Sequence, residues 1–316
     1  DPSTADELNF IAKKTTGKVT ATLAVDTPIS KATVDALKDV SSSDNITFVP
    51  TQGTVTGKAA LEALVALNKK LSSANWSNIT DFKGAASEVA AIKAALEVVD
   101  TAAVTITGAI SAAEANAIAN ATDGKVTATI TPGEAATIAG ALADAAATDA
   151  LNITVNGTNA AALNLTTLYG KTSLKITVDA AKVTGLFADL KDIYVTNKSK
   201  FTALGNENVD ITGATPASDV NTILKATTGV VTATNVVADT AANLVANLKD
   251  ANANDALTLT VTGMASAKDL LTLVNKTSKN LVTTGVTTIT GTAAEVKKVY
   301  DTLKTGVEGD ELITLT

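Results

Sequence analysis

The strongest constraint on this chain is a twelve-residue phrase that occurs three times. The copies begin at Ile11, Ile118 and Ile223, so successive copies lie 107 and 105 residues apart. The first copy reads Ile-Ala-Lys-Lys-Thr-Thr-Gly-Lys-Val-Thr-Ala-Thr, and all three share the ending Gly-x-Val-Thr-Ala-Thr. A fixed internal period is the signature of a repeat architecture. It divides the chain into three superrepeats, which are 1–110, 111–214 and 215–316.

Apolar periodicity divides each superrepeat further into helix-then-strand units. Val89, Ile92 and Leu96 recur at helical spacing, which predicts one apolar helix face. Val19 and Ala21 alternate with threonines, which predicts a strand with an inward and an outward face. In the first superrepeat these patterns predict helices at 6–14, 28–40, 58–71 and 86–99, and strands at 18–24, 45–49, 77–82 and 103–110.

About twelve such units of roughly 26 residues fill the chain, which leaves room in each for one strand, one helix and tight connections. Short strand–helix–strand units give parallel sheets with right-handed crossovers. The sequence therefore predicts an α/β repeat solenoid with a parallel β-sheet on one face and a row of helices on the other, continuous over 1–316 as a single domain. Three separate α/β domains are the alternative. The joints at 107–111 and 213–216 contain no linker, which favours the continuous array.

Helix boundaries are marked by local signals. Capping boxes, in which a hydroxyl and a carboxylate each satisfy a free backbone donor, begin at Thr4, Ser111 and Thr292. Three prolines directly follow a threonine and predict the first residue of a helix, and these are Pro28, Pro132 and Pro216. The glycines of the three phrases indicate helix C-caps with positive φ, and these are Gly17, Gly124 and Gly229.

The composition excludes several classes of function. The chain has no Cys and no His, and all 25 of its basic residues are Lys. The most common general base, the thiolate nucleophile and the usual zinc ligands are therefore missing, and we predict that the chain is not an enzyme. The net charge of −7 and the scattered lysines argue against a nucleic-acid partner. We also expect no membrane span, because no apolar run is long enough.

Recurring aspartates are the candidate metal ligands. They occur as pairs five residues apart, each at a predicted helix-to-strand joint. Because hard cations take oxygen ligands from turns, these pairs predict possible calcium sites and no other cofactor. The alternative is ordinary turn and cap chemistry. The six residues are Asp39, Asp44, Asp144, Asp149, Asp250 and Asp255.

Three further features are candidate binding surfaces. The segment 194–207 is longer than the matching joint of the first superrepeat, and it predicts a projecting loop or a short extra turn. Thr-x-Thr pairs on many strands predict an exposed sheet face of hydroxyl and methyl groups, which is either an ice-binding array or simply a solvated surface. Trp76, the only tryptophan, is either a sugar-stacking platform or a core residue.

Several phrases carry a resemblance to known proteins. Thr-Ala-Ala-Glu-Val-Lys-x-Val at 292–299, Gly-Lys-Val-Thr-Ala-Thr at 17–22 and the Thr-Ile-Thr-Gly strand endings resemble the Ala/Thr-rich repeats of large surface proteins of marine cyanobacteria and related bacteria, and of appendages on their phages. This resemblance implies an extracellular location and a structural or adhesive role. The implied partners are other copies of a surface protein or a ligand on a host or cell surface.

Three functions follow as expectations. The first is a non-enzymatic structural or adhesive segment of a bacterial surface protein, comparable to those of S-layers. The second is a fibre or appendage protein of a phage or virion. The third is a module that binds carbohydrate or protein through its exposed sheet face or through the segment 194–207.

Overall fold

The computed structural model describes residues 1–303 and 311–316, and these fold as an α/β protein. None of the helices among them is long and apolar enough to cross a membrane. Short 3₁₀ turns lie at Ala86–Glu88 and Lys198–Lys200, and a π-helical turn lies at Asp192–Thr196. The described α-helices are α1 Ala5–Lys14, α2 Lys31–Ala36, α3 Lys58–Lys70, α4 Val89–Leu96, α5 Ala112–Ala119, α6 Ala135–Ala141, α7 Ala162–Tyr169, α8 Phe187–Lys191, α9 Ala217–Leu224, α10 Ala241–Asn247, α11 Ala267–Val274 and α12 Ala293–Thr302.

The chain divides into two compact units. The first consists of Asp1–Pro132, Ile138–Ile153 and Tyr169–Leu174. It holds two sheets, with strand orders β1-β2-β4 and β3-β5-β6-β7-β8. Its strands are β1 Thr20–Thr22, β2 Asn45–Phe48, β3 Thr54–Thr56, β4 Ser73–Ala74, β5 Asp81–Ala85, β6 Ala103–Ile110, β7 Val126–Ile130 and β8 Ala150–Asn152.

The second unit consists of Gly133–Thr137, Thr154–Leu168 and Lys175–Thr316. It holds three sheets, with strand orders β13-β11-β9, β10-β12-β14-β15-β16 and β17-β18-β19. Its described strands are β9 Thr154–Gly157, β10 Ala160–Ala161, β11 Ile176–Ala180, β12 Lys182–Leu186, β13 Phe201–Thr202, β14 Asn208–Thr212, β15 Val231–Ala233, β16 Ala256–Leu257, β17 Thr260–Ser266, β18 Val282–Gly291 and β19 Leu312–Leu315.

Strand pairing follows the repeat. Phe82 pairs with Val104 in the first unit, and Val183 pairs with Val209 at the equivalent position of the second. Over the described residues every pairing between these strands is parallel, so the predicted α/β class with parallel sheets is confirmed. Helices α1 to α5 contact one another in sequence order in the first unit, and α8 to α12 do so in the second. The single continuous domain over 1–316 stays a prediction.

Of the local signals for helix starts, the capping boxes are confirmed and the prolines are not. The capping boxes at Thr4, Ser111 and Thr292 are confirmed in full. The prediction that prolines open helices is wrong, because α2 begins at Lys31 after an N-cap at Ser30 and α6 begins at Ala135. At Pro216 the φ of −58° suits a helix, but the ψ of 148° is extended and makes this residue the N-cap of α9. Proline fixes φ alone, so ψ and the next capping group decide where the helix begins.

The core is built from the residues that the periodicity places inward. Ile92 and Leu96 on α4 are buried, as predicted. Trp76 is also buried, its indole N–H donates to Asn68 Oδ1 at 2.8 Å, and its ring meets Phe48 edge-on with the ring centroids 5.6 Å apart. Trp76 is therefore a core residue with its polar group satisfied.

Candidate functional site

Three of the six predicted metal ligands are buried clasps that join one strand to a turn. Asp149 shows the arrangement. Its Oδ1 accepts the backbone N–H of Val126 at 2.8 Å, and its Oδ2 accepts the backbone N–H of Ala146 at 2.8 Å. Asp44 and Asp255 make the equivalent pair of bonds in the other superrepeats, and all three carboxylates are buried. A buried carboxylate of this kind holds two backbone segments in register.

The other three aspartates are exposed and pair with asparagines. Asn116 Nδ2 donates to Asp144 Oδ2 at 2.8 Å, and the backbone N–H of Asp144 donates back to Asn116 Oδ1 at 2.7 Å. These asparagines were not among the predicted site residues, although each stands two residues before the first residue of a repeated phrase. The same reciprocal pair forms between Asn9 and Asp39 and between Asn221 and Asp250.

The carboxylates of these aspartates accept hydrogen bonds from other segments of the chain. Calcium takes six to eight oxygen ligands. In residues 1–303 and 311–316, no group of three or more acidic, histidine or cysteine side chains is placed to hold a metal ion. Asp144 and Asp149 bind separate partners. The structure thus favours turn and cap chemistry at these joints, and calcium binding stays a prediction.

The electrostatics of Asp44 match its role as a clasp. Burial by itself raises the pKa of this carboxyl, but the backbone N–H groups of Val19 and Ser41, the Ser41 hydroxyl and the charge of Lys18 outweigh it. The net effect holds the pKa of Asp44 below its ordinary value. A lowered folded-state pKa means that Asp44 stabilises the fold above its ordinary pKa, and that this stabilisation is lost as pH falls through the folded value.

A calcium titration tests the metal hypothesis directly. We expect no rise in Tm when millimolar calcium is added, because the carboxylate oxygens already accept N–H groups. The measurement is a circular dichroism melt with calcium, with magnesium and with chelator. A calcium-specific rise that Asp144→Asn removes would establish a site at this joint and contradict the expectation.

The segment 194–207 is anchored in the core by three buried side chains and is not simply a projecting loop, although most of its residues are exposed. Tyr194, Phe201 and Glu207 are all buried. The alternative of a short extra turn describes the segment better, because it contains the end of the π-helical turn, a 3₁₀ turn and the strand β13. β13 pairs with β11, and two aromatic side chains anchor the insertion in the core. Aromatic content in an apparent loop was the sequence signal for burial.

Glu207 is the most heavily bonded side chain of this segment. The hydroxyl of Tyr194 donates to Glu207 Oε1, and the backbone N–H groups of Gly205 and Asn206 donate to its carboxylate at 3.0 to 3.1 Å. Burial raises the pKa of Tyr194 far above its ordinary value, and the neighbouring carboxylate raises it further. The tyrosine therefore stays protonated and serves as a donor.

A pocket of about 390 Å³ opens beside Glu207. Ala203, at its rim, has a φ of 61°, in the left-handed region that non-glycine residues seldom adopt. Such backbone strain concentrates at functional sites. The pocket offers carboxylate, amide and backbone groups to a small polar ligand. Its lining includes Gly157, Asp179, Ala181, Ala203, Asn206 and Glu207.

The outward-facing rows of the sheets are mostly half-buried and are chemically mixed. In the first unit Thr105 pairs with Thr127, but the next position in the row is Lys83. In the second unit the row through Thr232 contains Asp210, which forms an ion pair of 2.6 Å with Lys182. These rows do not form the uninterrupted threonine array that the ice-binding hypothesis requires.

Lack of space, and not backbone conformation, explains the glycine in two of the three copies of the repeated phrase. Gly17, Gly124 and Gly229 do not have positive φ, so the C-cap prediction is wrong. A Cβ on Gly124 would lie 2.5 Å from the carbonyl oxygen of Ala102, and a Cβ on Gly229 would lie even closer to the carbonyl oxygen of Glu207. These glycines allow one backbone to pass over another. Comparisons of the chain with protein-family models, curated proteins and solved structures found no match.

Proposed function

We propose that the chain is a continuous α/β solenoid of about twelve units that serves as a structural or adhesive segment of a bacterial surface protein, comparable to those of S-layers. It acts outside the cell and catalyses no reaction. Each unit buries its apolar face on its neighbours, so that stability is close to a sum of unit and interface contributions. Its partners are other copies of the surface protein or a ligand on a cell surface.

One observation carries this proposal, and it is the repetition of the same joint. The buried aspartate clasp recurs at Asp44, Asp149 and Asp255, and each copy ties a strand to the following turn. The asparagine–aspartate pair recurs beside it. Because the repeated contacts hold backbone to backbone, they favour stiffness over the convergent side-chain geometry that catalysis requires.

The extracellular location is supported by composition and by resemblance. The Ala/Thr-rich phrases are similar to those of bacterial surface proteins and of phage appendages, and the absence of Cys and Arg fits the same classes. A phage fibre or appendage is accordingly the alternative, and it would rely on the same stiff array.

A second candidate function is a carbohydrate- or protein-binding module. The pocket beside Glu207 favours it, because strained backbone at Ala203 and the polar groups of Asp179 and Asn206 meet there. In this case the repeat array would act as a spacer between the pocket and the bacterial surface.

Immunogold labelling tests the proposed location and role. An antibody raised against the chain should label the outer envelope of intact source cells, because a surface segment is accessible without permeabilisation. Pre-absorption of the antibody with purified chain is the control. Label on virions would favour the appendage alternative, and label only after permeabilisation would refute both extracellular functions.

A further inference from the structure

The two joints between superrepeats have the same strand pairing. β6, which ends the first superrepeat, pairs with β7 so that Thr105 lies opposite Thr127. β14 pairs with β15 in the same register, with Asp210 opposite Thr232. In the repeat, β19 is the counterpart of β6 and β14, and β1 is the counterpart of β7 and β15. Both β19 and β1 lie at the edge of their sheets in the described structure.

Apolar residues at these two edges are exposed where their counterparts are buried. Ile11 is 48% exposed, whereas Ile118 and Ile223 at the same position of the phrase are fully buried. Leu315 on β19 is 60% exposed, whereas its counterpart Ile106 on β6 is buried. The exposed residues thus belong to the same two surfaces that meet at the internal joints.

Gly17 supplies an independent observation. Its counterparts Gly124 and Gly229 are confined by the backbone of the preceding superrepeat, but a Cβ on Gly17 would meet only the hydroxyl of Thr15, at 3.3 Å. Nothing in the described structure requires glycine there. By the register of the joints, the backbone that would confine Gly17 is that of Glu311.

The hydroxyl of Thr15 follows the same pattern. Thr122 Oγ1 donates to the carbonyl oxygen of Ala102 at 2.6 Å, and Thr227 Oγ1 donates to that of Glu207 at 2.9 Å. Thr15 Oγ1 accepts the backbone N–H of Gly17 at 2.9 Å. In the same way, Thr122 Oγ1 accepts the N–H of Gly124, and Thr227 Oγ1 accepts that of Gly229. Within residues 1–303 and 311–316 its own proton has no acceptor equivalent to Ala102.

We propose that a second copy of this chain docks its first superrepeat on β19 and reproduces the internal joint. β19 of one copy then pairs in parallel with β1 of the other, with Thr314 opposite Thr20. Gly17 lies against the backbone of Glu311, and Ile11 becomes buried. The inference names the partner of the surface segment and rests on the proposed function.

A second copy fits this edge because it carries the complementary surface. Ser3 bridges Leu23 at one end of the β1 edge and leaves Thr20 uncovered on that side, so the pairing position is open. The contact joins two different surfaces, and it is therefore heterologous, which produces rings or open chains instead of symmetric dimers. An exposed apolar edge strand is a ready template for such pairing.

Complementation between two variants tests the proposal. Gly17→Ala alters the β1 surface, and Leu315→Lys alters the β19 surface. Sedimentation velocity over a concentration series should show that the mass of the unaltered chain rises with concentration and that each variant alone is a monomer. An equimolar mixture should form a dimer and nothing larger, because one intact surface of each kind remains.

Two controls separate association from folding. Circular dichroism melts of both variants should match the unaltered chain at low protein concentration, because both positions are exposed. Leu163→Lys changes an equally exposed apolar residue outside the two edges and should associate as the unaltered chain does. Register is checked by oxidation, since the chain has no other cysteine. Thr20→Cys mixed with Thr314→Cys should form a disulfide-linked dimer, and Thr51→Cys mixed with Thr314→Cys should not.

Three results would overturn the inference. The first is an unaltered chain that stays monomeric over the whole series, the second is a mixture of variants that forms no dimer, and the third is equal loss of association in Leu163→Lys. If the chain is monomeric but is still detected on the cell surface by immunogold labelling, association with a second copy is refuted and the proposed function stands.

Discussion

Replacing Ile118 by aspartate is expected to lower the free energy of unfolding by about 5 kcal/mol, which is the sum of a lost buried aliphatic side chain and a buried unpaired polar group. Ile118 is fully buried on α5, so an aspartate at this position would be removed from water. The measurement is urea unfolding followed by circular dichroism.

Ile11→Asp is the matched control, because Ile11 occupies the same position of the repeated phrase. Ile11 is about half exposed, so we expect a loss of no more than about 1 kcal/mol at low protein concentration. Equal losses in the two variants would show that the two positions have the same environment, and would contradict the description of the first superrepeat.

Gly229→Ala is expected to destabilise the chain by about 3 kcal/mol, since a methyl group at this position collides with backbone atoms that cannot rotate away. The carbonyl group of Glu207 passes directly over Gly229. The expected result is a lower midpoint of urea unfolding with an unchanged slope.

The control is Gly17→Ala at the equivalent position. No backbone crowds this position, and a Cβ would meet only the hydroxyl of Thr15 at 3.3 Å, which must shift by a few tenths of an ångström, so stability should change by less than about 1 kcal/mol in either direction. The two substitutions are chemically identical, and Gly229→Ala is expected to cost several times more stability than Gly17→Ala changes. A gain in stability from Gly229→Ala would show that the two backbones do not approach each other as described.

Several features of this fold could be predicted from sequence because they depend on near neighbours. The capping boxes at Thr4, Ser111 and Thr292 join residues three apart, and all three are present. The inward position of Ile92 follows from helical spacing, and the parallel α/β class follows from short alternating units. The period of the phrase also identifies the equivalent positions of the three superrepeats.

Features that involve distant segments could not be predicted in this way. The proline signals failed because φ alone does not begin a helix, as the extended ψ of Pro216 shows. The aspartates resembled metal ligands because the sequence does not show that Val126 presents its N–H group to Asp149. Segment 194–207 resembled a loop because its contacts lie across the core.

The repeated phrase illustrates the division. The sequence by itself determined that Gly17, Gly124 and Gly229 are equivalent and that each follows a helix. Only the tertiary structure decided why Gly124 and Gly229 are glycines, because the backbone that excludes a side chain there belongs to the preceding superrepeat. Local patterns record the conformation of the chain, whereas steric exclusion depends on atoms that packing brings together. For that reason identical glycines occupy a crowded joint at two positions and an open edge at the third.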